Sequence, residues 1–166
     1  MFNKKKTTPF ATAYYLSPQN HRKMKPLLFS ILFFMIFNTM SYSQCDKHTI
    51  ITSSKTEYLN AKDSVQHTEI ERTVIEISKL EITIAPGDDK ERVMHGKINS
   101  TVCHWTQPFK EGKTIIKAVF VNRAGETKNG TITIEGKEGK VIFLLEALEN
   151  PEFKVKVIAE KFEEKK

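Results

Sequence analysis

"TITIEGKEGKVIFLLEAL", residues 131 to 148, decides how this chain folds. In "TITIE" the isoleucines Ile132 and Ile134 alternate with threonines, so one face is apolar and the other polar, which is the period of a strand and not of a helix. "GKEGK" (136 to 140) joins this run to "VIFLL", and its glycines can take the positive φ that a tight hairpin turn requires. The two runs are therefore expected to pair antiparallel.

The same pattern extends in both directions from this hairpin. Upstream stand "HTIITSSKTEYL" (48 to 59), "SVQHTEIERTVIEIS" (64 to 78), "KLEITIA" (79 to 85), "RVMHGKINSTVCHW" (92 to 105) and "KTIIKAVFV" (113 to 121). Downstream, "KVIFLLEAL" (140 to 148) is followed by "EFKVKVIAEKF" (152 to 162). Turn-forming residues separate the runs, as in "NAKD", "PGDD", "NRAGETKNG" and "ENP". About seven or eight strands with hairpin-length connections predict an all-β fold, an antiparallel meander closed as a small barrel or sandwich. No segment after Cys45 carries a helical period.

Alternation also assigns the inner faces. Leu80, Ile82 and Ile84 are expected to point one way, as are Phe153, Val155 and Val157, with lysines or polar residues between them. Two strands are apolar on both sides: in "TIIKAVFV", Ile116, Ala118 and Phe120 share one face while Ile115, Val119 and Val121 take the other. Such a strand is usually covered twice, by the core and by a second layer. The functional alternatives are a lumen for an apolar ligand or a surface for a partner.

At the N-terminal side, "MKPLLFSILFFMIFNTMSYSQ" (24 to 44) has a basic start, an apolar centre and a small-x-small end at Ser41 and Ser43, the pattern of a secretory signal peptide. The stretch from Leu27 to Phe37 would rise only about 16 Å as a helix, whereas a bilayer core needs about 30 Å. Residues 1 to 23 show no apolar periodicity and read as a disordered leader or a start assigned too early. The expected organisation is thus 1–23, a signal peptide at 24–44, and one all-β domain at 45–166.

This division changes the meaning of the charge. The whole chain carries a formal +6, but Lys4, Lys5, Lys6, Arg22, Lys23 and Lys25 all precede Cys45, and no acidic residue precedes Asp46. From Cys45 onward 20 basic residues face 20 acidic ones, which removes the case for nucleic acid as a partner.

Catalytic signatures are sparse. His48, His67, His95 and His104 show no metal-ligand spacing, Asp88 and Asp89 read as a solvated turn, and no serine stands in a nucleophile elbow. Cys103 and His104 point to opposite faces of a strand and cannot act together. No enzyme, cofactor or metal is expected. The most individual stretch is "CHWTQPF" (103 to 109), a strand running into a turn, with Trp105 as a core aromatic or as an aromatic platform at a barrel mouth. Trp105, Phe120 and Phe143 are the candidate ligand-binding residues. In size and strand order the chain resembles small β-barrel carriers such as the lipocalins; their Gly-x-Trp motif has no counterpart in "CDKHTIIT", so the resemblance is one of architecture.

Two functional expectations follow. One is an exported protein, periplasmic or secreted, that binds a small apolar ligand. The other is a structural or protein-interaction module of the cell envelope with no ligand cavity. Cys45 has three competing fates: a disulfide with Cys103, a lipid anchor that would place the protein on a membrane, or a free thiol. Export and a count of two cysteines rank the disulfide first, and Gln44 counts against the lipid, because a small residue usually stands at that position.

Overall fold

The computed structural model describes residues 44–121 and 125–166. The expected signal peptide, apart from Gln44, and the expected leader lie outside the described residues. Alternating sequence is expressed as eleven strands: β1 (Thr49–Ser53), β2 (Thr56–Leu59), β3 (Val65–Glu69), β4 (Thr73–Ile77), β5 (Glu81–Pro86), β6 (Met94–Gln107), β7 (Glu111–Val121), β8 (Thr127–Lys137), β9 (Lys140–Ala147), β10 (Lys154–Ile158) and β11 (Lys161–Glu164). One short 3-10 turn spans Lys90–Arg92, and among the described residues there is no α-helix. All strands belong to one antiparallel sheet in the order β11-β1-β4-β5-β6-β7-β8-β9-β10-β2-β3.

Eleven strands replace the expected seven or eight because three runs that read as single strands are each broken in two. Between β1 and β2, Ser53 Oγ accepts a hydrogen bond from the Lys55 amide at 3.1 Å, a local turn that competes with the ladder. The other breaks fall at residues 70–72, between β3 and β4, and at Ala159 and Glu160, between β10 and β11. Each break sends the two halves of one run to distant places in the strand order: β1 stands second and β2 tenth.

The central hairpin forms as its sequence requires. Lys137 pairs with Lys140, and the two residues between them, Glu138 and Gly139, have φ of 53° and 76°. Positive φ at both central positions is the turn whose twist matches the strands it joins. The stretch 122 to 130 reads in sequence as a longer loop or a second hairpin; β7 and β8 on its two sides pair antiparallel from Val121 opposite Thr127, as the hairpin reading requires.

Inner faces meet in a core whose fully buried side chains include Ile51, Ile75, Ile82, Ile116, Ile132, Ile134, Phe143 and Val157. Each such side chain contributes about 1.5–3 kcal/mol relative to exposure. Two expected core residues are not inside. Leu80 is 67% exposed because it sits in the turn before β5, and Phe153 is 40% exposed because β10 begins one residue later. The second layer expected over β7 and β9 is also missing from the described residues: Val121 and Ile142 are solvent-exposed on the outer face.

Strand β6 changes phase along its length. Gly96 and Ile98 point inward, the ladder to β7 shifts register between Ile98 and Ser100, and after this bulge Cys103 and Trp105 point inward instead.

Candidate binding clefts

Phe120 lies on the inner face of β7, directly opposite Gly96 of β6, while its neighbour on that face, Ala118, is opposite Gly130 of β8. A Cβ at Gly96 would stand 2.7 Å from the Phe120 ring and 2.9 Å from Ile82, and one at Gly130 would stand 2.9 Å from the ring and 3.0 Å from Leu145. Both distances are far below ordinary contact, so only glycine leaves room for the ring to lie across its neighbours. Beside the ring opens an apolar cleft of about 270 Å³, lined by Met94, Phe120, Val121, Leu145, Ala147 and Phe153, with Asn129 and Asn150 among its polar residues.

The loops at this end are held by polar contacts. Asn129 donates its backbone N–H to both Glu149 carboxylate oxygens, at 2.9 and 3.0 Å, and its side-chain amide to one of them at 2.7 Å. These bonds hold the Glu149 carboxyl below the usual carboxylate range. Arg92, at the end of the 3-10 turn, makes a two-pronged contact with Glu71 at 2.8 Å on each oxygen and a further contact with Glu69 at 2.5 Å. The Glu69 carboxyl is held down to about 2 by its close association with Glu71 and by the Arg92 guanidinium that contacts both. Tyr58 packs on Phe153 with ring centroids 6.0 Å apart, which joins this ionic cluster to the cleft wall.

The opposite end of the sheet is fastened covalently. Cys45 and Cys103 form a disulfide across a Cα separation of 5.9 Å, tying the chain before β1 to the middle of β6. Gln44 is buried, and its Oε1 accepts a hydrogen bond from the Phe109 amide at 2.6 Å. Trp105 Nε1 donates to Thr114 Oγ1 at 2.7 Å, and the rings of Trp105 and Phe109 lie 5.6 and 5.0 Å from that of Phe162. A second cleft, of about 380 Å³, opens here. Its interior side is Ile77, Ile116, Ile134 and Phe162, the disulfide forms part of its wall, and Lys79, Asn99 and Thr101 lie along it.

The structure thus separates the three candidate ligand residues. Phe120 lines the apolar cleft; Phe143 lies in the middle of the core, opposite Ile134 and Val157; Trp105 is buried near the disulfide end and lines neither cleft. The disulfide between Cys45 and Cys103 joins as expected. Sequence reasoning missed Met94, Leu145 and the two glycines. An isolated glycine inside an alternating run, as in "RVMHGKINS", is the available signal of a close approach to the backbone.

The histidines do not converge. His67 lies 3.3 Å from Glu69, His48 3.9 Å from Glu76 and His95 3.2 Å from the Thr83 hydroxyl, and among the described residues no group of His, Cys, Asp or Glu is placed to hold a metal ion. Comparison with protein-family models, with curated proteins and with solved structures returns no match.

Proposed function

We propose that this is an exported, non-enzymatic protein of barrel-like form that takes a small apolar ligand in the cleft beside Phe120. The observation that carries the reading is the cleft itself: about 270 Å³, walled by Met94, Leu145 and Phe153, with an aromatic ring seated over glycine at two neighbouring strand positions. Its volume lies just below the usual range of ligand clefts, which suits a small ligand, and its mostly apolar lining suits one with few polar groups. The barrel-like form is supported by the three broken runs. Each contributes strands near both ends of the strand order, so eight chain segments can bring those ends together around the core.

Export is supported by the disulfide, which is compatible with an oxidising compartment. The same bond argues against a lipid anchor, since a sulfur bonded to Cys103 cannot also carry a thioether. The second reading, an envelope interaction module, is favoured by the apolar residues of the outer face: Ile142 pairs with Ile158, and both are exposed.

Titration of the purified protein with the uncharged fluorescent probe N-phenyl-1-naphthylamine tests the proposal. One saturable site is expected, weakened about tenfold or more by Phe120→Ala and abolished by Gly130→Leu, which fills the cleft. Far-ultraviolet circular dichroism establishes that the variants fold. Absence of saturable binding, or binding that Gly130→Leu leaves intact, would overturn the reading in favour of the interaction module.

A further inference from the structure

Pro108 and Phe109 form the corner between β6 and β7, closed by the Lys110 amide donating to the Gln107 carbonyl at 3.1 Å. Phe109 has a φ of 60°, and a proline followed by a residue of positive φ is the pattern of a type II turn. Proline has no N–H and the Lys110 amide is used in closing the turn, so the Phe109 amide is the donor left over. Its acceptor is Gln44 Oε1, at 2.6 Å. The backbone carbonyl of Gln44 accepts in turn from the Lys47 amide at 3.1 Å, and the next residue, Cys45, is bonded to Cys103. Gln44 is thus built into the folded domain by side chain and main chain alike, although the sequence pattern counts it as the last residue of the signal peptide.

A cut after Gln44 would remove the acceptor of the Phe109 amide. A cut after Ser43 keeps it, and Ser41 and Ser43 are the small residues that such a cut requires. That cut, which rests on the export proposed above, makes Gln44 the first residue of the protein and gives it a free α-amine within reach of its own carboxamide.

We propose that Gln44 is a modification site, where the new N-terminus closes on itself to pyroglutamate. The α-nitrogen attacks Cδ; the N–Cδ bond forms, the Cδ–Nε2 bond breaks, and Nε2 leaves as ammonia with a proton given up by the α-nitrogen. No oxidant, reductant or other co-reactant is consumed. The charge that develops during attack falls on Oε1, the atom already held by the Phe109 amide, and a fixed backbone donor stabilises such an oxyanion. The product keeps this hydrogen bond, because Oε1 becomes the lactam oxygen. It also replaces an ammonium, which a buried residue disfavours, by a neutral ring. The chain then begins beside the disulfide with no amine for an aminopeptidase to hold, at a point where an untied terminus would fray.

The test is mass spectrometry and N-terminal sequencing of the protein recovered outside the cytoplasm of bacterial cells that express the full chain. The expected protein starts at Gln44, is blocked to Edman degradation, and is lighter than disulfide-bonded 44–166 by the mass of one ammonia. Fragment ions should place the loss at residue 44 and not at Asn129, which precedes a glycine. The Phe109 amide should be protected from hydrogen exchange in this protein, and Gln44→Glu should be exported with its amine open to Edman degradation. A start at Gln44 with full mass and a free amine would overturn the modification and leave export standing. So would an exchanging Phe109 amide, which would show that the lactam has left its donor. A start at Cys45 would overturn the place given to Gln44, and retention of residues before Gln44 would overturn export and the modification together.

Discussion

The two ends of the sheet are fastened by different chemistry. At one end a covalent bond between Cys45 and Cys103, a buried Gln44 and a cluster of Trp105, Phe109 and Phe162 rings fix the entering chain. At the other, loops are joined by ion pairs and hydrogen bonds, Arg92 to Glu69 and Glu71, Asn129 to Glu149, around an apolar cleft. A covalent tie acts largely on the unfolded chain, whereas half-exposed ion pairs give small, pH-dependent increments in the folded state. The stability of the molecule should therefore depend on the first end and its binding on the second.

The comparison breaks most visibly at the disulfide. Replacing both Cys45 and Cys103 by serine releases a closed loop with a sequence separation of 58 residues and should cost about 4 kcal/mol in denaturant unfolding. Probe binding at the Phe120 cleft should stay within a factor of about three, a free-energy change below about 1 kcal/mol. A large loss of binding would show that the two ends are coupled. Next in size is Gly96→Ala, which forces a methyl group against Phe120 and Ile82 and should cost about 1–2 kcal/mol while displacing the ring from the cleft. Here both stability and probe affinity should fall together.

Trp105→Phe keeps an aromatic ring but removes the donor to Thr114 Oγ1, so a loss of about 1 kcal/mol is expected, with no effect on the probe. The smallest effect belongs to Arg92. Glu69 has an ordinary value of 4.5 and is held down to about 2 in the folded protein. Its contribution is therefore fully present above about pH 4.5 and is lost as pH falls from there through about 2. Because Arg92 and Glu69 are 36% and 31% exposed, solvent screening limits the gain to less than about 1 kcal/mol. The difference in melting temperature between the wild type and Arg92→Met should accordingly be small at neutral pH and vanish near pH 2. A difference that persists there would assign Arg92 a packing role instead.

Much of the strand content was legible because alternation is a local property: Ile82 with Ile84, and Ile132 with Ile134, are inward in the structure for the reason their spacing gives. The breaks at Ser54 and Lys55 and at Ala159 and Glu160 were not legible. They are recorded only as a change of inward parity, from Ile51 to Thr56 and from Val157 to Phe162, and a polar residue at the bend hides it. The disulfide was readable from a cysteine count. The cleft was readable only in part, since Phe120 could be placed on an inner face by parity, whereas its proximity to Gly96, Gly130 and Leu145 depends on cross-strand register, which no single strand specifies. Trp105 and Phe143 were singled out as aromatic, but aromatic character does not distinguish a core side chain from a cleft wall.

The bulge between Ile98 and Ser100 sets a reading frame for the rest of β6. One extra residue there converts even-numbered inward positions into odd-numbered ones, so the placement of every later side chain depends on length and not on the identity of the inserted residue. Asn99, itself solvent-exposed, could be exchanged for many residues at little cost. Its deletion would remove the bulge and leave Cys103 opposite Thr114 and Trp105 still inward, whereas one residue added between Ser100 and Cys103 would turn Cys103 away from Cys45 and carry the Trp105 ring from the core into water, so beyond the bulge the count of residues is under tighter constraint than their chemistry.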